Sequence, residues 1–128
     1  MKSIIFTEKA PAPIGPYSQA VQTGNMLFIS GQIPIDPETN ELISGTIKDE
    51  AEQVMQNLGA LLLQAGFSFE HVVKTTIFLS EMNHFGDVNE VYGSYFKSDY
   101  PARETVAVLG LPKNVNVEIS LIAVKAWT

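Results

Sequence analysis

Cysteine is absent from the chain, which removes disulfides, thiolate nucleophiles and cysteine-ligated zinc or iron-sulfur clusters from its chemistry. Histidine is almost absent: His71 and His84 stand alone, without the i, i+4 spacing or carboxylate companions of a ligand set, so no metal is expected. Basic residues are few, 8 against 14 acidic ones, and the net charge of -6 disfavours nucleic acid and acidic membrane surfaces as partners. No apolar stretch approaches the roughly 18 residues of a membrane span. The first eight residues, Met1 to Glu8, lack the apolar core of a signal peptide, and the expected compartment is the cytoplasm. Phosphate loops, dinucleotide fingerprints and a Ser-His-Asp context are missing, which argues against cofactors held by glycine-rich loops and against triad hydrolysis. Repeats, low-complexity tracts and linkers are missing too, and residues 1–128 are expected to form one domain.

What is present reads as alternating strands and helices. Ser3 to Phe6 is a short strand, and Tyr17–Gln22 and Met26–Ser30 flank Thr23-Gly24-Asn25, a hairpin signal. Asp36 to Glu41 is turn chemistry, with Asn40 suited to a left-handed backbone. Ile47, Ala51, Val54, Leu58, Leu61, Leu62 and Ala65 share one helical face, Thr46 and Asp49 resemble a capping box, and Gly66 suits the stop. Val72 to Leu79 is a β-branched strand. A second helix carries Phe85, Val88, Tyr92, Tyr95 and Phe96 on one face, with Asn83 as its cap and Pro101 blocking extension beyond Tyr100. Strands around Glu104–Leu109 and Asn116–Ala126 finish the chain.

Two helices cannot cover both faces of so many strands, which points to an α+β fold: one mixed sheet with both helices on one face. On the last strand Val117, Ile119, Leu121 and Ala123 alternate with Glu118, Ser120, Ile122 and Val124, so both faces are largely apolar. That pattern implies burial on both sides, and hence an oligomer whose sheets pack together.

Charge breaks this apolar region at Arg103, Glu104 and Glu118. Charges flanked by β-branched residues are costly to bury and usually survive as a pair, an interface or a binding site. Arginine presents a permanently charged, planar fork suited to a carboxylate. A half-buried glutamate can hold a proton near neutrality, because burial raises its pKa.

Five segments carry a family resemblance: Gly15-Pro16-Tyr17-Ser18-Gln19-Ala20, Phe28 to Pro34, Asp87-Val88-Asn89-Glu90-Val91-Tyr92, Pro101-Ala102-Arg103, and Leu111-Pro112 with Val117-Glu118-Ile119. In order and content they resemble the signature segments of the Rid family, the reactive intermediate deaminases, also called YjgF-type proteins. The resemblance implies a chorismate-mutase-like α+β fold, and a homotrimer with sheets packed at its centre and sites in the clefts between subunits. It also implies cofactor-free hydrolysis of 2-imino acids, such as 2-iminobutanoate and 2-iminopropanoate, to 2-oxo acids and ammonia.

Under that resemblance Arg103 anchors the substrate carboxylate and Glu118 positions the attacking water. Tyr17 offers a phenol, although without the family it reads as a core or interface aromatic. Ser30 and Gly31 suit a ligand or an ordinary turn, and Asn89 suits a polar substrate group or solvent. Ile33 and Phe85 are apolar walls or core. Thr105 departs from the family, where many deaminases carry cysteine, and is expected to change rate or substrate range without abolishing hydrolysis. Alternation along the strand places Glu104 on the face opposite Arg103. A non-catalytic small-ligand-binding module on the same fold is the alternative.

Overall fold

The computed structural model describes residues 1–126. Its strands are β1 (Lys2–Ile5), β2 (Ala20–Thr23), β3 (Met26–Gln32), β4 (Ile35–Asp36), β5 (Glu41–Leu42), β6 (Val72–Leu79), β7 (Ala102–Ala107) and β8 (Val117–Val124). The helices are α1 (Ile47–Gln64) and α2 (Phe85–Gly93). Six strands form one mixed sheet in the order β1-β2-β3-β8-β6-β7, in which β6 and β7 run parallel and every other pair is antiparallel. β8, late in sequence, is therefore central, between β3 and β6. This is the α+β arrangement expected from the sequence.

α1 begins as its sequence dictates. The Thr46 hydroxyl accepts from the Asp49 N–H at 3.2 Å, and the Asp49 carboxylate accepts from the Thr46 N–H at 3.0 Å. Gly66 ends it at φ 80°, in the left-handed region that glycine enters without strain. Ala51, Val54, Leu58, Leu61 and Leu62 are buried against the sheet, where they meet Leu27, Ile77, Leu79, Val117 and Ile119.

Several boundaries differ from the sequence expectation, each for a local reason. β1 lies one residue earlier than Ser3–Phe6. β2 starts at Ala20 rather than Tyr17, and just before it the buried Gln19 side chain holds the preceding loop. Its amide donates to the carbonyls of Thr7, Ala10 and Pro11 and accepts from the Thr7 N–H. The turn around Asn40, which has φ 63°, closes a two-stranded ribbon of β4 and β5 rather than a plain loop. Asn83 does not cap α2: it lies inside a 3₁₀ turn, Met82–His84, and His84 takes the cap position without a side-chain bond. α2 stops at Gly93, short of Tyr100. There the Ser94 hydroxyl donates to the Val91 carbonyl at 2.6 Å, giving a terminal carbonyl a partner. Tyr95 and Phe96 still pack on the core, against Phe69, from an irregular segment. β7 starts at Ala102, directly after Pro101.

The two faces of the sheet end up unlike. Val117, Ile119, Leu121 and Ala123 are buried beneath the helices, while Glu118, Ser120, Ile122 and Val124 remain partly exposed. Directly paired residues share a face, so Ile4, Val21, Phe28 and Ile122 make an apolar row across four strands on the uncovered side.

Candidate active site

Arg103 is placed by β7, and its register partner on the parallel neighbour β6 is Thr75, a fully buried residue beneath α2. Arg103 therefore emerges on the helix-covered side. α2 meets it with Phe85, Asn89 and Tyr92, spaced so that all three lie on one helical stripe. The Arg103 Nη1 donates to the Asn89 Oδ1 at 2.6 Å. Its guanidinium carbon lies 5.4 Å from the Phe85 ring centre and 5.2 Å from that of Tyr92, within cation-π range. The Tyr92 hydroxyl in turn lies 2.8 Å from the Thr75 hydroxyl. Burial raises the Tyr92 pKa, opposed by the Thr75 bond and by the Arg103 charge, so the phenol stays neutral. One N–H of the guanidinium is engaged, and its remaining donors bond no protein acceptor among the described residues, which leaves a fork free for an anion.

Thr105, two residues further along β7, borders the same crevice as Arg103, Asn89 and Phe85. Its buried hydroxyl finds no hydrogen-bond partner among the described residues. Beside Arg103 a cleft of about 480 Å³ opens between Asn89, Tyr92, Tyr100 and Pro101. Glu104 points to the other face, where Lys74 Nζ lies 3.2 Å away, so it neither pairs with Arg103 nor neutralises it.

Glu118 occupies a different neighbourhood. Its partner on β6 is Phe78, which places it on the sheet face away from the helices. There the side chain lies against the backbone of Gly31: a Cβ at that position would sit 2.5 Å from a Glu118 carboxylate oxygen. β3 carries a register irregularity between Ile29 and Gln32 at this point. Burial pushes the Glu118 carboxyl up from the usual glutamate value, and no charged neighbour contributes to the shift. Ser30, next to Gly31, donates its hydroxyl to the Ser18 carbonyl at 2.6 Å, which ties this region to the segment bearing the exposed Tyr17.

The expected site residues thus fall into two groups in one chain: Arg103, Asn89, Phe85 and Thr105 on the helix side, and Glu118, Gly31 and Ser30 with the Tyr17 segment on the open side. No recorded contact brings Ile33 into either group; it is half-buried, and its carbonyl accepts from the Asn57 amide at 3.2 Å. Arg103 and Glu118 do not meet within one chain. Sequence reading missed Tyr92 and Thr75 as parts of the arginine setting. Tyr92 read as one more member of an apolar stripe, and the one signal was its three-residue offset from Asn89.

The chain is similar to known proteins over nearly its whole length. The family model described as Endoribonuclease L-PSP matches residues 7–125. A RutC family protein of Pyrococcus horikoshii is 55% identical over 98% of this chain and 99% of its own length. The mouse 2-iminobutanoate/2-iminopropanoate deaminase is 49% identical over 98% of this chain and 93% of its own. Among solved structures, YyfA of Yersinia pestis, a member of the conserved Rid family, has a TM-score of 0.95 at 48% identity, covering 98% of this chain and all of that one. E. coli TdcF with bound serine has a TM-score of 0.93 at 42% identity, over 97% of this chain and 99% of its own. With a family model spanning most of the chain, full-length relatives and matching folds, this chain belongs to the Rid, or YjgF-type, family.

Proposed function

We propose that the protein hydrolyses small 2-imino acids, 2-iminobutanoate and 2-iminopropanoate among them, to 2-oxo acids and ammonia, without a cofactor, in sites formed between copies of a homotrimer. The observation that carries this reading is the separation of Arg103 and Glu118 on opposite faces of one sheet. A site using both takes the arginine from one copy and the glutamate from another. The uncovered apolar row through Phe28 and Ile122 supplies a surface for such association.

In the proposed site the free fork of Arg103 holds the substrate carboxylate. Glu118, on the partner copy, aligns a water against the imine carbon and takes a proton from it as the C–O bond forms. Glu118 returns that proton to the nitrogen of the carbinolamine, which leaves as ammonia when the C–N bond breaks, and the carbinol hydroxyl gives up its proton through Glu118 to leave the 2-oxo acid. Imines hydrolyse in water unaided, so orientation and one carboxyl group supply the acceleration required. Serine, bound to TdcF, is likewise a small acid with a nitrogen on the carbon next to its carboxylate, which suits the same handle. The net charge of -6 favours a small anion held by one local cation over a nucleic acid substrate.

The test generates 2-iminobutanoate from an amino acid in situ and traps surviving imine with semicarbazide. Wild-type protein is expected to lower the trapped product, and Arg103→Ala and Glu118→Gln to fail while staying folded. Refolded together in equal amounts, the two inactive variants are expected to regain about one quarter of wild-type activity, because a shared site then finds both intact groups at that frequency. No recovery on mixing overturns the shared site. No effect of wild-type protein on trapped imine leaves the small-ligand-binding module as the function.

A further inference from the structure

We infer that Tyr92 and Thr75 are positioning residues for Arg103, forming a brace that fixes the guanidinium plane before any anion arrives. The inference rests on the reading of Arg103 as the carboxylate anchor. Thr75 is 1% exposed and Tyr92 4% exposed, so their hydroxyls bond each other in an environment that offers no water as a substitute. Thr75 is also the register partner of Arg103 on the β6–β7 ladder. The same strand pair therefore sets the origin of the arginine side chain and, through the Thr75 hydroxyl, the position of the ring beneath it.

The geometry closes a triangle from Thr75 to the Tyr92 hydroxyl, across the ring to the guanidinium, and back along Arg103 to the backbone beside Thr75. Asn89 adds an edge contact to Nη1, and Phe85 covers the cation at 5.4 Å. An arginine left free carries several rotatable bonds, and ordering them on ligand binding weakens affinity; a braced arginine has lost that freedom during folding. The brace thus acts on carboxylate affinity, and neither Tyr92 nor Thr75 handles a proton in the reaction.

The hydroxyl tie and the ring are separable by substitution. Thr75→Val leaves the Tyr92 hydroxyl buried without a partner, whereas Tyr92→Phe removes the unmet group and keeps the ring. Binding of 2-oxobutanoate, the reaction product, is measured by calorimetry, alongside thermal melting and ¹⁵N relaxation of the Arg103 Nε–H. Thr75→Val is expected to weaken binding about fivefold and Tyr92→Phe about twofold, with the double variant matching Tyr92→Phe, since both changes break one bond. KM for the imine is expected to rise in step with kcat little changed, and the Arg103 Nε–H to become more mobile. A lower melting temperature with unchanged product affinity and unchanged Nε–H relaxation overturns the inference, because the pair is then an ordinary core hydrogen bond. Should Thr75→Val fail to fold, Tyr92→Phe carries the same comparison. Product binding without imine hydrolysis in the wild type defeats the proposed reaction but leaves the brace to be judged by affinity and relaxation.

Discussion

The helix-covered face of the sheet and the open face treat their charged residue in opposite ways. On the covered face Arg103 is surrounded: Asn89 accepts a hydrogen bond from it, and the rings of Phe85 and Tyr92 lie within cation-π distance. On the open face no cation among the described residues pairs with Glu118, and its pKa rises through burial. The cation is oriented by specific contacts. The carboxyl has its pKa raised because burial disfavours its ionised form. In the proposed site one residue binds and the other exchanges a proton, and the sheet between them keeps the pair from neutralising one another within a chain.

The contrast is tested most severely at Glu118. Glu118→Gln is expected to lower kcat by about 10²-fold or more, the usual weight of a positioned acid or base. The acid limb of the wild-type kcat profile is expected to have its midpoint above the ordinary glutamate value of about 4.3. Stability follows the same shift. The folded-state pKa is raised, so the neutral carboxyl favours the fold; that contribution is full below the unfolded value and is lost as pH rises through the folded value. Urea titrations of Glu118→Gln and wild type across this range check the sign. A wild-type acid limb at or below the ordinary value breaks the contrast between the two faces.

A smaller effect is expected where the open face meets its glycine. Gly31→Ala puts a methyl into the Glu118 carboxylate and must push it aside, with kcat falling about tenfold and KM for the imine little changed, since the arginine side is untouched. Gly86→Ala, whose added Cβ meets nothing within 4 Å, is the control. It is expected to be neutral or to stabilise α2 by up to about 1 kcal/mol in thermal melts. Equal losses in both variants would mean that the close approach at Gly31 has no special weight.

The smallest expected effect concerns the unpartnered hydroxyl on the covered face. Thr105→Val removes a buried group that bonds no protein atom among the described residues, so stability is expected to change by less than about 1 kcal/mol. A shift in the ratio of kcat/KM for 2-iminobutanoate over 2-iminopropanoate would give that hydroxyl a role toward substrate. An unchanged ratio would confine substrate recognition on this face to Arg103 and its neighbours.

Where local chemistry suffices, the sequence is readable. The Thr46–Asp49 box, the left-handed Asn40 and Gly66, and the alternating burial of Val117 to Ala123 all follow from interactions a few residues long or from a simple period. α2 was harder to read, because its end depends on Ser94 finding the Val91 carbonyl while Phe96 and Tyr95 are drawn onto Phe69 from outside the helix. The start of β2 escaped for a similar reason: Gln19 spends its side chain on a loop some ten residues upstream. For the site, residue type identified Arg103 and Glu118 as groups with chemistry to offer, and alternation put Glu104 on the face away from Arg103.

What sequence alone determined about this protein is its inventory: a cysteine-free, acidic α+β chain with an arginine whose planar fork suits a carboxylate and an isolated strand glutamate. Tertiary structure alone decided that these two lie on opposite faces of one sheet, that Tyr92 and Thr75 stand behind the arginine, and that Gly31 leaves room for the glutamate. The physical reason is register. A side chain's type and its place in a period are local properties, but the face it meets and the neighbour it touches depend on how strands far apart in sequence are paired.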